Sequence, residues 1–90
     1  MQPYIQGYLD IETTGLSPYN CEITVVGIYR CNKELSQFVQ LVGREITACT
    51  ITEALTGVEV LYTYNGSRFD LPFIHSKVGV NLAKELEHQV

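Results

Sequence analysis

Two acids stand two residues apart within an apolar run, Leu9-Asp10-Ile11-Glu12. In an extended strand, alternate side chains share a face, so Asp10 and Glu12 stand side by side while Leu9 and Ile11 turn the other way, into a core. Carboxylates held that close repel, and a proton or a cation relieves the repulsion. A hard divalent cation, Mg2+ or Mn2+, takes carboxylate oxygens and is the natural partner of such a pair. The plainer reading is a solvated pair on an edge strand, and the flanking Leu9 and Ile11 weigh against it. A third acid, Asp70, lies in Tyr64-Asn65-Gly66-Ser67-Arg68-Phe69-Asp70-Leu71-Pro72-Phe73-Ile74, past the end of one element and at the start of another. An Asp there can cap a helix, and capping and ligation can coexist.

The elements that must position these acids are read from periodicity. Residues 4 to 12 alternate, with Ile5, Leu9 and Ile11 apolar against Tyr4, Gln6, Tyr8, Asp10 and Glu12, which predicts a first strand with two different faces. Residues 13–20 form a loop, where Gly15 admits unusual backbone angles and Ser17-Pro18 favours a turn. Cys21 to Arg30 is almost continuously apolar and predicts a second, central strand covered on both faces. A short turn over residues 31–34 leads to a third strand, Leu35 to Val42, completing an antiparallel meander. Arg44 to Thr56 is read as a helix ended by Gly57, although Thr47, Thr50, Thr52 and Thr56 are weak helix formers. Val58 to Tyr64 is the fourth strand, and the intervening crossover makes it parallel to the first. A turn at Asn65-Gly66-Ser67 precedes a helix from about Phe69 to Lys77, beginning near Asp70 because Pro72 fits only a first turn. A turn over 78–81 leads to a helical or extended segment, 82–90. With strands one and four parallel, their carboxyl ends meet at one sheet edge, and Asp10, Glu12 and Asp70 converge there.

Length and composition bound the rest. Ninety residues with 46% apolar content make one folded domain, 1–90, with a modest core. The three cysteines, Cys21, Cys31 and Cys49, form no C-x-x-C pair, so they are read as free thiols in a reducing, cytoplasmic setting. No signal peptide or membrane-spanning run is visible, so no membrane partner is expected. The net charge of −4 counts against a general electrostatic grip on nucleic acid, while acids that bind metal ions lower the charge of the metal-free protein. Neither a Gly-x-Gly-x-x-Gly run nor a P-loop is present, which sets aside the common nucleotide-binding enzymes. His75, five residues past Asp70, is rotated off its helical face, and His88 follows Glu85 at the spacing of a weak helical pair. Tyr4, Tyr8, Tyr62 and Tyr64 are either amphipathic sheet residues or the lining of a base-binding groove.

Asp10-Ile11-Glu12-Thr13-Thr14-Gly15-Leu16 resembles the first motif of the DEDD-type 3′→5′ exonucleases, which have a ribonuclease-H-like fold. Asn65-Gly66-Ser67-Arg68-Phe69-Asp70 resembles their second motif, an Asn followed after three residues by Phe-Asp. The resemblance implies an α/β fold: a three-stranded antiparallel meander plus a fourth strand parallel to the first, with flanking helices. It implies two divalent ions, Mg2+ or Mn2+, with Asp10, Glu12 and Asp70 as catalytic metal ligands. Thr13 and Thr14 would meet the terminal nucleotide, Leu16 would pack against its base, and Asn65 and Phe69 would shape the strand-binding groove. The implied substrate is DNA or RNA with a free 3′ end. Plainer readings stand beside these: Asn65 as a turn residue, Phe69 as a core anchor, and Arg68 as a solvated loop residue instead of a phosphate contact.

The family's third motif supplies a fourth Asp and a His or Tyr, and no aspartate follows Asp70 in this chain. The expectation is a partial domain without the fifth strand and last helix, inactive alone. The alternative is a non-catalytic, degenerate nuclease module that binds nucleic-acid ends or a protein partner. An incomplete sheet edge also opens a route to a homodimer.

Overall fold

The computed structural model describes residues 4–64 and 68–89. Its elements are β1 (Ile5–Thr13), β2 (Ile23–Cys31), β3 (Ser36–Val42), a 3-10 turn (Gly43–Glu45), α1 (Ala48–Ala54), β4 (Val58–Tyr62), α2 (Asp70–Val78), α3 (Leu82–Glu85) and β5 (Glu87–Gln89). They build one sheet in the order β3-β2-β1-β4-β5. The β1–β2 and β2–β3 pairs are antiparallel, whereas β1–β4 and β4–β5 are parallel.

The meander and the parallel fourth strand are those read from the sequence. The fifth strand is a correction, because Glu87–Gln89 pairs parallel with β4, Val60 lying opposite Glu87. Three residues are too few to show an alternation, so periodicity could not reveal it. The 44–56 helix is also shorter than expected. Its first part is the 3-10 turn, and α1 starts after Thr47, whose side chain accepts from the Thr50 N–H at 3.0 Å. The threonines explain this, since a hydroxyl that caps a helix start or bonds back to it competes with regular helix. Gly57, with φ 82°, turns the chain into β4, and Gly79, with φ 87°, ends α2 in the left-handed region open to glycine.

The core occupies one face of the sheet. Leu9, Ile11, Val26, Ile28 and Leu61 meet Ile51 and Ala54 of α1, Leu71, Phe73 and Ile74 of α2, and Leu82 of α3. The expectation that β2 is covered on both faces is not met: Ile23, Val26 and Ile28 are buried, while Thr24 and Tyr29 are exposed. A bulge explains how the apolar run misleads. Glu12 lies opposite Val25 and Thr13 opposite Ile23, so Thr24 is the extra residue that brings Ile23 and Val26 onto the same face. The opposite face presents Tyr8, Tyr29 and Phe38 to solvent.

A one-sided core has a direct thermodynamic consequence. Leu61→Ala, on the helix side, is expected to cost about 2–5 kcal/mol of unfolding free energy. Phe38→Ser, on the open side, is expected to change it by less than about 0.5 kcal/mol. Urea denaturation of the two variants measures the contrast.

Candidate active site

β1 outlasts the strand beside it. Its pairing with β4 covers Ile5 to Tyr8, whereas its pairing with β2 continues to Thr13. A backbone N–H left without a strand partner must find another acceptor when buried. The first residue of α2 supplies it: the Ile11 N–H donates to Asp70 Oδ2 at 3.2 Å. Ile11 lies between Asp10 and Glu12, so the helix start is anchored at the centre of the acid pair. Asp10 and Glu12 are exposed, as alternation requires, and Asp70 is only 4% exposed.

Burial pushes the Asp70 carboxyl above its ordinary value, and the neighbouring Asp10 charge pushes it the same way. Hydrogen bonds from the Ile11 and Asp70 N–H groups oppose both effects without cancelling them. A positive charge nearby would favour the ionised form, and the donor set consists of hard carboxylate oxygens. In kind it therefore fits Mg2+ or Mn2+. The arrangement is open, however. Among the described residues, no three His, Cys, Asp or Glu side chains gather closely enough to hold one ion. Asp10 and Glu12 form the exposed pair, and Asp70 is held behind them by Ile11.

The loop after β1 is fastened to the start of β2. The Thr14 N–H donates to the Glu22 carbonyl at 2.9 Å, and the Glu22 N–H donates to Thr14 Oγ1 at 2.9 Å. The Thr13 hydroxyl donates to the Gly15 carbonyl, and the Thr24 hydroxyl to the Glu12 carbonyl at 3.1 Å. Gly15 stands against the Cys21 thiol, which any side chain there would have to push aside. It is not among the glycines with positive φ, but a Cβ on it would lie 2.6 Å from Cys21 Sγ. The expectation of unusual backbone angles at Gly15 is thus replaced by one of close approach. Lys77 Nζ, near the end of α2, meets Glu22 Oε1 at 3.2 Å and links the loop to the helix that carries Asp70.

The structure therefore sets Asp10, Glu12, Thr13 and Thr14 along the end of β1 and joins Asp70 to it at Ile11, beside Asp10, without closing the three acids around one point. Leu16 projects into solvent, 84% exposed, and Arg68 is also exposed. Phe69 packs against the core, its ring centroid 5.4 Å from that of Phe73, as its reading as an anchor expected. Asn65 lies outside the described residues. Three contributors escaped the sequence reading. Glu22 and Lys77 are 55 residues apart, and neither carries a motif. Gly27, opposite Asp10 in the register, could have been noticed as a glycine inside an apolar strand, a mark of close approach. It lies in a hollow of about 610 Å3 on the open face, whose lining also includes Asp10, Glu12, Tyr8, Phe38 and Tyr62.

A mixed sheet of this order, with acids at the carboxyl end of β1 and at the start of the helix after β4, defines a ribonuclease-H-like fold. The profile of a family described as RNase_H_2, of the RNase_H superfamily, matches residues 7–89, and the chain belongs to that superfamily. Among solved structures, it is similar to a chain in "Crystal structure of SSB/Exonuclease I in complex with inhibitor CFAM", with a TM-score of 0.55 and 16% identity. The likeness covers 82% of this chain and 24% of that one, so the chain spans about a quarter of that neighbour's length. A comparison with curated proteins finds no match.

Two outcomes follow from the geometry. The folded Asp70 pKa lies above its unfolded value, so its contribution to stability is fully present below the unfolded pKa and is lost as pH rises through the folded one. Asp70→Asn keeps an acceptor for the Ile11 N–H and removes the charge. Its stability relative to the parent chain should therefore rise from pH 4 to pH 7 in metal-free buffer, as read from urea midpoints. Gly15→Ala should destabilise the chain by about 1–3 kcal/mol through overpacking against Cys21, and Cys21→Ala in the same chain should recover most of that loss.

Proposed function

We propose that the chain carries the metal-binding part of a 3′→5′ exonuclease, with DNA or RNA bearing a free 3′ end as substrate. The observation that supports this best is the anchoring of Asp70 on Ile11, between Asp10 and Glu12, in a chain of the RNase_H superfamily. Asp10 and Glu12 offer oxygens from the open face, and Asp70 offers a third carboxylate whose ionised form a nearby cation would favour. When bound, the divalent ions supply Lewis-acid activation of a water and stabilise the leaving 3′ oxygen. The tied loop at Thr13 and Thr14 holds backbone and hydroxyl groups beside the acids, where a terminal nucleotide would be met. Leu16 is free to pack against an unpaired base, and Arg68 to meet a phosphate.

These 90 residues supply three of the four acids of the two-ion site and no orienting His or Tyr of the third motif. The reading is therefore of a chain that binds Mn2+ weakly and does not turn over on its own. Isothermal titration with Mn2+ should show binding that Asp10→Asn weakens by about tenfold or more, equivalent to about 1.4 kcal/mol. A 3′-labelled oligonucleotide incubated with the chain and Mn2+ should stay intact. No Mn2+ binding would remove the metal reading. Rapid Mn2+-dependent trimming from the 3′ end, lost in Asp10→Ala, would show that three acids suffice.

A second reading, a non-catalytic module with a protein partner, is favoured by the open acid arrangement. Absence of Mn2+ binding in the same titration would favour it.

A further inference from the structure

β3 begins the sheet order, so one side of it pairs with β2 and the other with no strand among the described residues. Which backbone groups that open side offers follows from the ladder. At the turn between the two strands, the Asn32 N–H donates to the Leu35 carbonyl at 3.0 Å. Bonded and non-bonded pairs alternate along an antiparallel ladder, and the register from Cys31–Ser36 to Val25–Val42 is unbroken. Gln37, Val39 and Leu41 therefore direct their N–H and C=O groups to β2, and Ser36, Phe38, Gln40 and Val42 turn theirs outward. The Val42 N–H agrees, since it donates to Glu45 Oε1 at 2.9 Å.

A row of open backbone groups is a template for another strand, and edges are normally blunted by Lys, Pro or a bulge. Ser36–Val42 has none of these: its seven residues hold no charge, no Pro and no Gly. The strand is also complementary to itself. A two-fold axis through Val39 sets Ser36 opposite Val42, Gln37 opposite Leu41 and Phe38 opposite Gln40 of a second copy, matching outward groups with outward groups along the whole strand. Val39, half-buried against the core, then meets the same residue of the second copy and carries the core across the axis. A hollow of about 470 Å3 between β3 and α1, whose lining includes Val39, Leu41 and Ala54, leaves room there for the second copy's side chains. The ends fit in charge. The same axis brings the exposed Lys33-Glu34 of each copy to the exposed Arg44-Glu45 of the other, Lys33 toward Glu45 and Glu34 toward Arg44. A shift of two residues either way shortens the ladder and misaligns both charge pairs.

We infer that β3 is the pairing edge for a second copy of this chain, joined antiparallel about a two-fold axis at Val39 into one continuous sheet. Phe38 of each copy exchanges backbone hydrogen bonds with Gln40 of the other, and the Ser36 N–H donates to the Val42 carbonyl. Glu45 keeps the Val42 N–H and ends the ladder. Each β3 is used once, so the assembly closes as a dimer. This edge lies at the far side of the sheet from β5, and the inference does not depend on the nuclease reading.

Sedimentation equilibrium of the chain should show monomer and dimer and nothing larger. Hydrogen exchange at high protein concentration should protect the Phe38 and Gln40 amides, which face water in the monomer. Gln40→Pro removes an outward N–H and should weaken the dimer by about tenfold or more, with circular dichroism checking that the variant folds. Where it does not fold, the exchange data and the charge variants decide. Glu34→Arg should weaken the dimer by about threefold or more, and Glu34→Arg combined with Arg44→Glu should return it to the parent value. A monomer at about 1 mM chain, a dimer indifferent to Gln40→Pro, or a charge reversal that fails to restore pairing would overturn the inference. So would a dimer in which Phe38 and Gln40 still exchange freely, which would place the contact elsewhere, or growth beyond a dimer, which would make the edge an open-ended stacking surface.

Discussion

The hydrogen bond from the Ile11 N–H to Asp70 Oδ2 is the constraint on which the site depends. β4 stops pairing with β1 at Tyr8, and β1 runs on to Thr13. A buried backbone donor without an acceptor costs about 1–3 kcal/mol. A carboxylate at the start of α2 removes that cost and fixes where the helix begins against the sheet. The solution has an electrostatic price, because the same carboxylate is buried near Asp10 and its ionised form is disfavoured. Folding alone would be served as well by an asparagine. An acid at this point keeps the hydrogen bond and also offers a carboxylate oxygen to a cation, which links the fold to the proposed chemistry.

The remaining contacts keep that junction in register. Thr14 and Glu22 exchange two hydrogen bonds, so the loop after Glu12 stays close to β2. Glu22 meets Lys77, which extends the tie to α2. Such an exposed pair contributes little on its own, roughly 0–1 kcal/mol. Its effect is to orient one element against another. Beneath the junction, Leu71, Phe73 and Ile74 bury the helix on Leu9, Ile11 and Leu61. The opposite face keeps its aromatic residues in solvent beside the two exposed acids. The two exposed acids thus stand on the side of the sheet away from the helices.

Much of this was legible in the sequence because it is local. Alternation in residues 4–12 marked β1 and set Asp10 and Glu12 on one face. Pro72 fixed the start of α2, and the two motif-like segments indicated the fold. What was missed depends on pairing. The one-sidedness of β2 arises from a bulge at Thr24, which no composition reveals. The role of Gly15 depends on the position of Cys21 Sγ, and the Glu22–Lys77 tie joins residues 55 apart. A strand of three residues, β5, has no periodicity to detect.

The proposed function requires Asp10, Glu12 and Asp70 to form a divalent-cation site. Paramagnetic broadening of backbone amide signals by substoichiometric Mn2+, mapped residue by residue, tests it most directly. The strongest broadening should fall on Asp10–Thr13 and on Asp70 and Leu71, and Asp10→Asn should remove it. Broadening centred on other acids, such as Glu45 or Glu53, or none at all with Mn2+ in excess, would contradict it.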